Sequence, residues 1–472
     1  MDLPVFHLDF FGNRILIGII AIVHVFINHP MAVGAMPLIT LMEWTGKRTG
    51  DRRWDDLAYK ILTVCFIVTT SLGALTGVGI WFSTSLVNPY AIGSLIHIFY
   101  WAWFTEWIVF CVEVILILLY YLLWKKWEGP LKNRHIILGA VLSISSWLTM
   151  AIITAILAYM MDIGDWRLGK GLLAAIMNPL YLPQLAFRTP LAMATAGFFA
   201  LLLTYFFLKY DAVFRASVAR WISIWTLAWL PFCLAAGIWY WRMIPDALTQ
   251  NLNVAVATQI FETHYNLILV SLYVFILLAL LFLLWVVIKP LQVPRYVLLI
   301  PFMVGILTLG YFERVREFLR KPYVIADYMY ANGIRVDDYP LLNQRGILPY
   351  AVYAREKTVT DENKILAGRD VFMIACTRCH TTNGVNGILA KFQNLYGPGP
   401  WDAETMALYI RGMHNARPFM PPFPGNDAEL NALVQYLLTL RQYPIPLKGA
   451  QTADAVPPPN LSHANAGADS RS

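Results

Sequence analysis

Long apolar runs alternate with short polar loops over the first two thirds of the chain, and then they stop. A membrane-spanning helix needs about 20 mostly apolar residues. Eight stretches reach roughly that length, at 15–42, 57–82, 91–124, 135–160, 187–208, 219–241, 264–288 and 296–312. The last is the shortest. Beyond residue 312 the pattern becomes that of ordinary water-soluble protein. Residues 313–360 form a polar connector rich in Tyr and Arg, and residues 361–443 carry the helical spacing of a small compact domain. Residues 444–472 are rich in Pro, Ala and Ser and hold no aromatic residue, a composition that predicts disorder. The expected fold class is all-α: a polytopic transmembrane bundle of about eight helices in residues 1–312, followed by a small helical domain. No repeat of fixed period and no inverted halves are visible.

Charge placement sets the expected orientation. Connections one, three, five and seven carry Lys47, Arg48, Arg52, Arg53, Lys125, Lys126, Lys132, Arg134, Lys209, Arg215, Arg220, Lys289 and Arg295, which is 13 cations. The N-terminal tail and the even connections carry Arg14, Arg167, Lys170 and Arg242, with Arg188 at a helix mouth, which is five. Lys and Arg stay on the cytoplasmic side. The N-terminus is therefore expected outside, and eight crossings return everything after residue 312 to the outside. The expected location is a bacterial-type cytoplasmic membrane, with the C-terminal domain on its periplasmic, extracytoplasmic face.

Composition agrees with a lipid environment. The chain is 58% hydrophobic and 14% charged, against about 25% charged in a soluble domain. The net charge of +7 sits in short loops beside apolar segments, so it gives no nucleic-acid signal. No cleavable leader is expected, because the first apolar run is too long and lacks a small-residue cleavage site. Cys65, Cys111 and Cys233 lie singly in apolar runs and read as small buried hydrophobes.

Cys376 and Cys379 are different. Cys376-Thr-Arg-Cys379-His380 is a C-x-x-C-H sequence, the attachment signature of c-type haem. Two thiols about one helical turn apart add to the two vinyl groups of haem, and the adjacent imidazole reaches the iron. One covalent haem c is expected. Downstream lie Arg417-Pro-Phe-Met420-Pro-Pro-Phe and a helix around Leu430–Leu440. This arrangement resembles class I cytochromes c, which implies His380 as proximal and Met420 as distal ligand, with Met413 and His414 as rivals for the distal place.

Ionisable residues inside spanning helices are costly, so each is a functional candidate. They are His24 and His29 in the first span, His97, Glu106 and Glu113 in the third, His135 at the start of the fourth, Arg188 at the start of the fifth, and Glu262 with His264 at the seventh. Five histidines joined to a haem c domain point to b-type haem ligation as well. Glu106 and Glu113 are seven apart and share a helix face, which suits a proton path and equally a subunit contact.

The run His24-Val-Phe-Ile-Asn-His29-Pro30, Gly34 and Met42-Glu43, with Trp103-Phe-Thr-Glu106, Asn178-Pro179 and Glu317-Phe-Leu-Arg320-Lys-Pro322-Tyr323, resembles subunit I of the cytochrome bd-type quinol oxidases. The likeness spans about residues 10–330. It implies haem b with His24 as ligand, Glu106 as an essential acid, Glu317 as an acidic residue of the haem region and a second membrane subunit. His29, His97 and His264 join the candidate haem b region, and Arg188 becomes a candidate propionate contact. The chain departs from the family in four ways, one being that the family's Met ligand near helix seven has no clear match, though Glu262-Thr-His264 falls close to that place. The long quinol loop is reduced to the 22 residues from Arg242 to Thr263, Phe187-Arg188-Thr189 stands where a haem b histidine is expected, and one helix is missing before the last. Haem d and a quinol site are left open. Three readings follow: a membrane cytochrome passing electrons between haem b or quinone and haem c with its outside redox partner; a terminal oxidase fed through haem c; and a haem c-bearing anchor for a partner enzyme.

Overall fold

The computed structural model describes residues 7–442, apart from 170, 259, 260, 295, 296, 298 and 398. Lys170, Arg295 and the 444–472 tail lie outside the described residues. Eight long helices form the membrane domain: α1 (Asn13–Thr49), α2 (Arg52–Val87), α3 (Tyr100–Leu123), α4 (Lys132–Tyr159), α5 (Tyr181–Phe207), α6 (Ala212–Met243), α7 (Tyr265–Ile288) and α8 (Leu299–Leu319). Among the described residues, the first seven are long and apolar enough to cross a membrane. The last turns of α8 carry Glu313, Arg314, Arg316 and Glu317, so its outer part is polar.

Two boundaries differ from the sequence reading. The third apolar run breaks at Phe99 into a short helix, Pro89–Ile98, and α3. Asn88 caps the short helix by accepting from the Ala91 amide, and Pro89 opens it. The break is invisible in the hydrophobic pattern because both pieces are apolar. The eighth helix runs on past residue 312 to Leu319, since helical backbone bonding continues through its charged turns.

The α1–α2 turn shows why the chain reverses where it does. Gly50 takes a left-handed conformation (φ 70°) and Asp51 caps α2 through the Arg53 amide at 3.0 Å. Within α1, residues Asn28–Gly34 form a π-helical stretch around Pro30, which cannot donate an amide proton. Gly34 closes that stretch against Ala192 of α5, where a Cβ would overlap the Ala192 carbonyl. Met36, Ile39, Leu57, Ile61, Ala196, Ala200 and Ile222 pack the main core between α1, α2, α5 and α6. The outward faces of α3 and α7 stay apolar and exposed, as lipid requires.

After α8 the chain makes a two-stranded hairpin, β1 (Tyr323–Ile325) with β2 (Met329–Tyr330). Val324, Ile325 and Met329 pack on Phe99, Ile156 and Tyr159 at the end of the bundle nearer the C-terminal domain. The C-terminal domain follows with α9 (Lys364–Ala375), α10 (Ile388–Tyr396), α11 (Ala403–Ala416) and α12 (Asp427–Gln442). Helices α9 and α12 cross so closely that a Cβ on Gly368 would overlap the Ala432 carbonyl.

The connector is more than a polar tether. Tyr330, Tyr339, Leu342, Ile347, Leu348 and Ala351 share one core with Val371, Phe372, Phe392, Met406, Leu433 and Leu437. Glu429 of α12 is buried and accepts from the Ile347 and Leu348 amides, each at 2.8 Å. Burial raises its pKa above the usual carboxylate value, while these amides pull it back down. Removing the carboxylate strands two buried amides, at about 1–3 kcal/mol each. Glu429→Ala should lower the thermal midpoint of the C-terminal domain and speed amide exchange at Ile347 and Leu348, without loss of covalent haem.

Candidate functional site

The C-x-x-C-H loop follows the last turn of α9. The His380 amide donates to the Cys376 carbonyl at 2.9 Å, and the Cys379 amide to the same carbonyl at 3.1 Å. This turn puts the two thiols and the imidazole on one short arc. His380 Nδ1 meets the Asn386 carbonyl at 3.0 Å. A proton held on Nδ1 leaves the Nε2 lone pair for a metal, the usual arrangement of a ligating histidine. Burial pushes the His380 pKa below its ordinary value, toward the neutral form that binds iron. The residues fit a c-type haem.

Met420 lies in the loop between α11 and α12, with its amide on the Arg417 carbonyl at 2.8 Å. His414, a rival for the distal place, meets the Met420 carbonyl through Nδ1 at 2.6 Å, which leaves its Nε2 as open as that of His380. It supports the Met420 loop. Tyr339 of the connector donates to the Pro422 carbonyl at 3.2 Å, two residues further on. Met413 is part-buried against the domain core. Neither support was readable from sequence, because each joins segments whose contact only folding creates.

The membrane histidines do not converge. His24 sits between α1 and α2, where a Cβ on Gly77 would lie 3.2 Å from its Cε1. Its Nδ1 meets the Gly73 carbonyl at 3.2 Å and the Thr76 hydroxyl at 3.1 Å, and its Nε2 faces the Asn28 amide at 2.8 Å. With the proton on Nδ1 fixed by that carbonyl, Nε2 accepts from the Asn28 amide, which would have to turn aside for Nε2 to reach a metal. His29 differs. Its Nε2 accepts from Arg188 Nη1 at 3.1 Å, and Arg188 Nη2 donates to Glu313 at 2.6 Å. Arg316 donates to the other Glu313 oxygen at 2.9 Å. His97 and His264 are exposed, and His264 Nδ1 meets the neighbouring Thr263 hydroxyl at 3.0 Å.

Glu313 was missed by the sequence reading although it holds two buried guanidiniums. Two of the three guanidinium nitrogens of Arg188 are engaged here, and its buried Nε lacks a partner in the protein. Glu317 sits further out, paired with Arg320 and with Lys321. Phe187 lines an apolar cleft of ≈ 210 Å³ together with Gly237, Tyr240, Phe312 and Arg316. That volume falls below the roughly 300–1,000 Å³ of ordinary ligand sites.

The acids of α3 form a line. Glu106 is half-buried, and Glu113 accepts from Ser146 at 2.7 Å and Thr149 at 3.0 Å, both on α4. Seven residues further, Tyr120 donates to Glu43 at 2.7 Å. Glu43 is fully buried and also meets His135 Nδ1 at 2.6 Å and Lys132 at 2.8 Å. Lys132 reaches Asp55 at 2.6 Å. The seven-residue spacing signalled the first two acids but not the cluster that continues their line.

Three variants test the haem c residues. Cys376→Ala with Cys379→Ala should abolish haem staining of this band on denaturing gels. Met420→Ala should lose the far-red Met–iron charge-transfer band and lower the potential, because the thioether favours ferrous iron. His414→Ala should keep that band with a stability loss of about 1 kcal/mol. A band that persists in Met420→Ala would place Met413 on the iron.

Comparison with known proteins agrees with this division. Residues 363–437 match the family model "Cytochrome C oxidase, cbb3-type, subunit III". The bd oxidase structure from Geobacillus thermodenitrificans is similar in fold over the helical membrane region, at a TM-score of 0.55 and 16% identity. The match covers 67% of this chain and 88% of that one. A search of the curated proteins finds no match. The chain thus fuses a membrane domain with the fold of a bd oxidase to a cytochrome c domain of the cbb3 subunit III type, and so is a membrane electron-transfer cytochrome.

Proposed function

We propose that this chain is the large subunit of a membrane cytochrome complex. It passes single electrons between a haem c on the extracytoplasmic face and a haem b in the membrane domain. The observation that carries the reading is the His380–Met420 arrangement, built directly onto a membrane domain of bd oxidase fold. Haem supplies the one-electron redox chemistry. Cys376 and Cys379 fix haem c covalently, His380 and Met420 ligate it, and the Asn386 and His414 bonds hold those ligands in place.

In the membrane domain His24 is the best-placed ligand. Its Nδ1 is anchored on a backbone carbonyl and its Nε2 faces only the neutral Asn28 amide, whereas Nε2 of His29 is held by the buried, charged Arg188. Arg188, Glu313 and Arg316 keep fixed charge beside that region, and one guanidinium nitrogen of each Arg remains without a protein partner, suited to a propionate. Quinone on the membrane side, a redox protein outside and companion membrane subunits are the natural partners.

A second reading is oxygen reduction fed through haem c. The observation favouring it is the line from Glu43 and His135 through Tyr120 and Glu113 to Glu106. Such a line can bring protons from the cytoplasmic end to a buried reaction centre. Cyanide-sensitive oxygen uptake by the purified complex separates the two readings.

A pyridine haemochrome spectrum should show both b and c haem; c alone would reduce the protein to a haem-bearing anchor. His24→Ala should remove b-type absorbance and spare haem c. Glu106→Gln should keep both haems and slow turnover with an altered pH profile, and loss of a haem instead would make Glu106 a ligand or packing residue. Protease added to intact spheroplasts should release the haem c fragment, as the 13-to-five loop asymmetry requires. A fragment protected until lysis would overturn the orientation.

A further inference from the structure

The haem-attachment loop is not a free surface. Thr377, Arg378 and Thr381, interleaved with Cys379 and His380, are all buried. Polar residues on a short loop are ordinarily solvated, so something covers them. The cover is the stretch before α1 and the outer end of the membrane domain. Asp9 accepts from the Thr382 amide at 2.8 Å and from the Thr382 hydroxyl. The Val385 amide donates to the Phe10 carbonyl at 2.8 Å. Gly384 lies so near the Asp9 and Phe10 backbone that a Cβ there would overlap it. On the other flank, Arg378 Nη1 and Asn88 Oδ1 converge on Gly333, each 2.6 Å from where its Cβ would be.

Three positions around the predicted iron meet three residues of the membrane side. The Phe419 ring, next to Met420, packs on Phe318 with centroids 5.5 Å apart. The Arg14 guanidinium lies over Phe318 at 5.1 Å and acts electrostatically on His380. Lys321 is buried within electrostatic reach of Cys379. The neighbour of one proposed ligand thus touches this face of the membrane domain, and the other ligand lies within electrostatic reach of it, so a haem held by them would lie beside that face.

We propose that this seam is the electron crossing between the two domains, and that Asp9 is a positioning residue that holds the haem-attachment loop on it. The proposal rests on the reading of haem c and haem b above. One electron crosses per event: one haem loses it, the other gains it, and no bond is made or broken at Phe318 or Phe419. Tunnelling falls steeply with separation, so a docked domain transfers at one fixed distance where a tethered one would sample many. The outside partner then meets the C-terminal domain on a face other than this seam.

The test uses the full-length protein with Asp9→Ala and, separately, Phe318→Leu. Asp9→Ala should keep covalent haem and the Met–iron band, and should speed amide exchange at Thr382 and Val385. It should also slow electron equilibration between the haems after rapid photoreduction severalfold, because tunnelling falls steeply with separation. Phe318→Leu should keep the slow exchange at Thr382 and still slow the transfer. An Asp9→Ala protein with wild-type exchange removes the positioning role. Full-speed transfer in both variants removes the crossing. If the wild type has no b-type absorbance, the functional reading fails and the crossing with it, while the exchange experiment still decides whether Asp9 holds the loop.

Discussion

A guanidinium inside a membrane domain is stable only if its charge is answered, and Arg188 is almost completely enclosed. Its partner Glu313 comes from α8, and its second contact, His29, comes from α1. Removing one member of such a pair costs about 3–5 kcal/mol, because the other charge is left buried. The pair therefore ties the π-helical stretch of α1, the head of α5 and the outer part of α8 into one arrangement. Those outer turns also carry Glu317 and Phe318, which face the C-terminal domain. The geometry of the seam depends on where α8 ends, and Arg188 fixes α8.

Much of this was legible in the sequence, for reasons of differing reach. The spans were readable because a run of some 20 apolar residues has no other stable place. The c-type site was readable because its chemistry is local: two thiols and an imidazole within five residues. Glu313 was not readable. The last span was ended at residue 312, one position short, since charged turns at a helix end look like loop. Its partner also lies 125 residues away. The same holds for the bond between His414 and the Met420 carbonyl, which ties two candidate ligands into one loop. The break at Phe99 escaped because apolar residues lie on both sides of it.

The connector illustrates a limit of composition. Residues 313–360 are polar on average, yet Tyr339, Leu342, Ile347 and Leu348 are buried in the C-terminal core. Short irregular segments carry no period, so their few apolar residues give no signal until a partner surface is known. The hairpin before them is apolar enough to pack on Phe99 and Tyr159. The two domains thus meet through a folded segment on one side and through residues 9–10 on the other.

The enclosure of the haem-attachment loop also sets an order of assembly. Thr377, Arg378 and Thr381 are covered once the loop seats against Asp9, Phe10 and Gly333. An attachment enzyme must reach both thiols and both vinyl groups, so ligation has to finish before seating. Residues 9 and 10 leave the ribosome first and wait for a loop made about 370 residues later. Maturation of the cofactor is thereby built into the order of folding: thioether formation first, then closure onto the waiting N-terminal stretch.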